Sequence, residues 1–272
     1  MIVPKRAVIC FIFLSFLAGA FEHLPRAPQN VGEGVAALNF NGGIPGTYVD
    51  PASLSTGLAG GFAFQGGYQF GLRALKHWSG ISVFHTRLSP MGIGVTSFGN
   101  PAYSETTVGV YTAQPWGERI RWGVEANLYS LSIRNYGSDA AVGLTLAWHI
   151  QLSPEVVWGT ILRNVNSPSI GLKHDPLPQN IISGFSIKIQ PELHVQLEWE
   201  QDTAYKGELK YGLLYKFRPW LFLTSGFCNR TGQFTAAMNF QFSYLDISYA
   251  IVTHPKLGIS QWVGIAVPLA QP

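Results

Sequence analysis

The sequence predicts an all-β fold: a transmembrane antiparallel β-barrel of about fourteen strands, with an irregular N-terminal plug segment. The first observation is a period of two. Phe234, Ala236, Met238, Phe240 and Phe242 alternate with Thr235, Ala237, Asn239, Gln241 and Ser243. After a tight turn, Leu245, Ile247, Tyr249 and Ile251 alternate with Asp246, Ser248 and Ala250. Such a strand has unlike faces. In a soluble sandwich the large apolar set would pack on a second sheet, whereas in a bilayer-spanning barrel it would face acyl chains. The second observation is composition: charged residues make up 12%, aromatics 13%, and there are 30 glycines. A soluble domain carries about 25% charged residues, so a surface facing lipid fits better. The third is the beginning of the chain, where Lys5 and Arg6 precede an apolar run from Ala7 to Ala18-Gly19-Ala20. That is the pattern of an export signal, and it is short for a spanning helix of about 20 residues.

Three divisions follow. Residues 1–20 are expected to be a cleaved signal peptide, leaving a mature chain that starts near Phe21. Losing Lys5 and Arg6 lowers the formal net charge from +3 to +1, so no nucleic-acid partner is indicated. Cys10 goes with the leader, and Cys228 then reads as a small, inert apolar residue with no disulfide partner. Residues 21–57 lack sustained alternation and are expected to plug or line the barrel, with Gly32, Gly34, Asp50, Pro51 and Ala52 as candidate plug or lumen residues. Gly32, Gly34 and Ala37 also spell G-x-G-x-x-A, but a dinucleotide fingerprint needs a preceding strand and a βαβ unit. A leader precedes it here, and no cofactor is expected. Residues 58–272 are expected to form the barrel.

From Gly60 onward, candidate strands lie near 60–71, 77–87, 90–98, 105–113, 119–131, 139–150, 155–163, 180–190, 192–201, 206–216, 219–228, 232–242, 244–252 and 257–267. Most have the length of a tilted membrane strand, about 9–11 residues. Tight turns such as 88–90, 190–191, 217–219 and 242–244 alternate with links expected to be longer, at 99–104, 132–138 and 164–179. An even-stranded barrel with both termini on the periplasmic side has this parity. Trp116, Trp122, Trp148, Trp158 and Trp220 gather toward the tight-turn side, with Trp78 and Trp199 toward the other, as in an aromatic girdle.

The polar face supplies the candidate lumen residues: Arg121, Glu125, His149, His194, Glu198, Glu200, Glu208, Lys210, Asn239 and Asp246. Glu198, Glu200 and Glu208 with Lys188, Lys210 and Lys216 read first as a salt-bridged inner wall, since such charges cannot face lipid. A ligand-orienting patch and paired-carboxylate catalysis are the alternatives. No nucleophile–base pair or metal-ligand spacing stands out, so no catalytic residue and no metal site is expected.

Four stretches stand out: Gly32 to Leu38 with Tyr48-Val-Asp-Pro-Ala-Ser-Leu54; Leu162-Arg-Asn-Val165 with Leu177-Pro178 and Gly184; Tyr211-Gly through Pro219-Trp-Leu to Ser225-Gly-Phe; and Leu245-Asp-Ile-Ser-Tyr-Ala250 with Leu257-Gly-Ile-Ser260. In this order they resemble the PorV/PorQ-type outer-membrane proteins, which share the FadL-like fourteen-stranded barrel. Asp50 stands where the family usually has Asn, and Gln261 where it has His. The resemblance implies a bacterial outer-membrane protein that is not an enzyme. It would bind or transport hydrophobic molecules, with outer-membrane lipid and a hydrophobic small molecule as partners. The alternative it implies is a scaffold or type IX secretion component working through secretion-system proteins.

Overall fold

A computed structural model describes residues 20–21, 28–34, 36–55, 60–171, 174–203 and 205–269. All of the expected leader except Ala20 lies outside the described residues. Alternating faces draw most of the chain into strands. In chain order they are β1 (Gly61–Tyr68), β2 (Lys76–His85), β3 (Pro90–Asn100), β4 (Tyr103–Trp116), β5 (Ile120–Ile133), β6 (Gly137–Gln151) and β7 (Val156–Arg163). Two short strands, β8 (Ser169–Ile170) and β9 (Asp175–Pro176), pair with each other in a long link. There follow β10 (Asn180–Gln190), β11 (Leu193–Asp202), β12 (Glu208–Arg218), β13 (Leu221–Cys228), β14 (Gln233–Gln241), β15 (Asp246–His254) and β16 (Gly258–Pro268).

Fourteen of these strands form one closed barrel of antiparallel neighbours. The ring shuts where β1 pairs with β16, from Gly61 opposite Pro268 to Tyr68 opposite Gln261. Closure removes every edge, as a sheet surrounded by hydrocarbon requires. Each anticipated strand has its counterpart. The faces also fall as the alternation predicts: Met238 is 46% exposed on the outer side, and its neighbour Asn239 is 3% exposed on the inner side. Pro268, which cannot donate to a ladder, ends the last strand.

Two links differ from expectation. Those anticipated at 99–104 and 132–138 shrink to 101–102 and 134–136, because β4, β5 and β6 run to 14, 14 and 15 residues. Their polar ends, such as Ser104, Glu105, Ser138 and Asp139, continue the ladder beyond the apolar band. The wall is therefore tallest on this side. Next to it β7 has only 8 residues and pairs with β6 only from Leu146 to Gln151. Above that point the link completes the wall: Val165 N donates to Leu144 O, and the Asn166 amide bonds Leu144 N and Val142 O as a neighbouring strand would.

Residues 28–55 contain one helical turn, α1 (Pro28–Gly32), and two 3-10 turns, Ile44–Tyr48 and Pro51–Ser55. They touch β1 to β6 on one side and β13 to β16 on the other. A segment that reaches opposite walls of a closed ring crosses its interior. Its Val31, Leu38, Tyr48, Ala52 and Leu54 are among the most buried side chains.

Candidate functional site

The interior is where chemistry can reside, and small residues shape it. Cβ atoms added to Gly212 and Gly226 would run into the backbone of Glu33 and of Glu33–Gly34, and one on Gly123 would meet Pro51 and Ala52. Gly34 itself has φ +82° and lies against Tyr211 O and the backbone of Phe227, and a Cβ on Gly32 would strike Thr224 and Ala237. The G-x-G pattern thus serves close approach to a β wall.

Polar ties fix the segment. Asp50 has no exposure and accepts hydrogen bonds from Asn39 N (2.8 Å) and Ala52 N (3.0 Å), while its Oδ2 lies 2.7 Å from His149 Nε2 on β6. Arg121 stands within electrostatic reach of Asp50, and the His149 ring packs on Phe40 at 4.9 Å. Glu198, also without exposure, accepts from Ala37 N (2.9 Å) and Leu38 N (2.8 Å) and pairs with Lys210 Nζ at 3.1 Å. Lys210 reaches Glu200 as well, and Asn180 donates to Glu200. A carboxylate without exposure survives only with such charge-assisted partners. Pro51 opens a buried 3-10 turn, and Ala52 belongs to an apolar cluster with Leu38, Phe40 and Ile161.

The residues singled out in the sequence fall at several separate places in the structure. Asp50 and His149 tie the segment to β6, with Arg121 within electrostatic reach of Asp50. Glu198, Glu200 and Lys210 form the charge network of β11 and β12, whereas Glu208 pairs with Arg230 at 3.5 Å near the outer mouth. His194, Asn239 and Asp246 line a cavity of about 520 Å³ on the tight-turn side, together with Glu33, Asn41, Lys216 and Phe222. Glu125 stands apart on β5, 3% exposed, between Tyr111 and Arg163. Burial beside the carboxylate of Glu198 pushes Glu33 up to about 8.

Several contributors escape sequence reasoning. Arg163 Nη2 donates to Val49 O at 3.0 Å, Gln196 to Leu38 O at 2.9 Å, and Thr235 Oγ1 to Gly32 O at 2.9 Å. Cys228 is more than inert filling, since its Sγ donates to Gly34 O at 2.8 Å. An outer vestibule of about 210 Å³ is lined by Glu200, Glu208, Tyr205 and Arg230. Beneath it lies a cavity of about 40 Å³ among Tyr48, Phe98, Tyr111 and Tyr129. A groove of about 500 Å³ lies at the top of β7 and β10, lined by Leu162, Val165, Ile181 and Gln201.

No family model matches the sequence, and no curated protein does. Solved structures do. The Ralstonia pickettii toluene transporter TbuX superposes with a TM-score of 0.66 at 11% identity, over 91% of this chain and 100% of that one. A Pseudomonas aeruginosa FadL homologue gives 0.59 at 7% identity, over 91% and 98%. The P. putida toluene transporter TodX gives 0.57 at 11% identity, over 84% and 94%. The chain has a FadL-like fold. The proteins whose barrel it shares include toluene transporters and a monoaromatic hydrocarbon channel.

Proposed function

We propose that this protein carries small hydrophobic molecules across the outer membrane and that residues 21–57 act as its plug. The observation that carries the reading is the arrangement of empty space. A vestibule of about 210 Å³ lies at one end of the barrel and a chamber of about 520 Å³ at the other, with residues 28–55 between them. The interior is thus neither packed wall to wall nor open, and passage requires the segment to shift. The FadL-like fold supports the cargo class, because proteins of that shape include two toluene transporters. The apolar groove beside short β7 gives a hydrophobic molecule a place to meet the wall near the outer mouth.

The secretion-scaffold reading expects a dry, closed lumen and an apolar or charged patch on the loops, chiefly 164–179. Among the described residues of that link, Ile170 and Leu177 turn inward onto Tyr129, and Gly171 N is tied to Asp139.

Uptake of labelled toluene by a deletion strain, with and without the gene restored, tests the proposal. Uptake that rises severalfold on restoration supports it, and uptake indifferent to the gene rejects it.

A further inference from the structure

Phe21, the first residue of the segment expected to plug or line the barrel, lines two of its cavities. It is 8% exposed, and its ring meets Tyr129 edge-on at a centroid distance of 4.9 Å. Ile170 and Leu177 complete the socket. Its backbone nitrogen lies 2.9 Å from Oε1 of Glu105, a carboxylate only 5% exposed that also accepts from the Tyr103 hydroxyl. Glu105 stands near the start of β4, beside the outer link 101–102. Phe21 lines both the outer vestibule and the small cavity beneath it, so its side chain stands between the two.

The sequence separately marks Ala18-Gly19-Ala20 as a cleavage site for export processing. The two observations meet at one atom. We propose that hydrolysis of the Ala20–Phe21 bond creates the anchor of the outer closure. Water adds across the peptide bond, Ala20 leaves with the leader as a carboxylate, and Phe21 keeps a protonated α-amine that pairs with Glu105. An ammonium donates three hydrogen bonds and carries the charge that a buried carboxylate favours, whereas the amide of the precursor donates one and is neutral. The mature N-terminus is thus a ligand of the barrel's own outer mouth, with Phe21 as the stopper and Glu105 as its receptor. This does not depend on which cargo the barrel carries, because burial of the α-amine is read without any cargo.

The experiment uses protein exported and purified from outer membranes. Its intact mass should place the N-terminus at Phe21. In the folded barrel, Glu105→Gln should raise the rate at which pyridinecarboxaldehyde labels the α-amine by about tenfold or more, the loss expected for one charge-assisted bond, while Glu105→Asp restores part of the protection. On the wild-type protein alone, pyridinecarboxaldehyde should label the α-amine about tenfold more slowly in the folded barrel than in the urea-unfolded chain, as a protected group requires. An N-terminus elsewhere, an α-amine labelled no faster in E105Q than in wild type, or equal labelling rates in folded and unfolded protein would each overturn the proposal. Labelling needs no variant, so it decides the matter even if E105Q fails to assemble.

Discussion

A carboxylate with no exposure, 2.7 Å from an imidazole, ties a chain segment across the interior to the wall. Removing one partner of such a pair strands the other, along with the two backbone N–H groups that Asp50 serves. We expect Asp50→Ala to weaken docking of the segment by about 3–5 kcal/mol, and Asp50→Asn by about 1–3 kcal/mol because an acceptor remains. Native-state proteolysis within 28–55 measures both; unchanged protection in D50A would contradict the assignment. Glu33 makes a prediction of opposite chemical sense. Its folded pKa of about 8 is raised by burial, so the fold binds its proton more tightly than the unfolded chain does. That stability is complete below the ordinary value of 4.5 and is lost as pH rises through about 8. Protease protection of the segment should fall between pH 5 and 9 in wild type, and Glu33→Gln should flatten the profile. Glu33 drew no notice in the sequence, because the carboxylate that faces it, Glu198, lies more than 160 residues later.

Strands were the most legible elements, since alternation is a local property and every second residue of β14 and β15 declares its face. Met238→Arg and Ile247→Arg should impair assembly by about 2–4 kcal/mol if these residues lie near mid-bilayer. Asn239→Arg should be milder, because Asn239 opens onto the chamber of about 520 Å³. Heat-modifiable migration of the folded barrel on gels reads the difference, and equal damage at all three positions would count against this assignment of faces. Links were less legible. Polar residues at the tops of β4 to β6 look like loop in sequence because the alternation loses its apolar partner above the lipid band. Least legible was the path of 28–55, whose hydrogen bonds to Glu198 and Thr235 span 161 and 201 residues. Wall glycines were the available signal. Gly226→Val should expel the segment from β13, where a side chain would enter the backbone of Gly34, and leave the ring intact. Faster cleavage within 28–55 with unaltered heat-modifiability is the expected result.

At the scale of the whole molecule, residues 28–55 reach opposite walls of a closed ring with unlike faces, and the proposed transport requires that segment to move. Val31 and Ala237 pack in one buried cluster and offer a place to lock it. The decisive measurement is toluene flux into vesicles containing a Val31→Cys/Ala237→Cys protein in a Cys228→Ser background, oxidised and then reduced. Flux should stop when the pair is oxidised and return with reductant. Equal flux in the locked and released states would contradict a mobile plug.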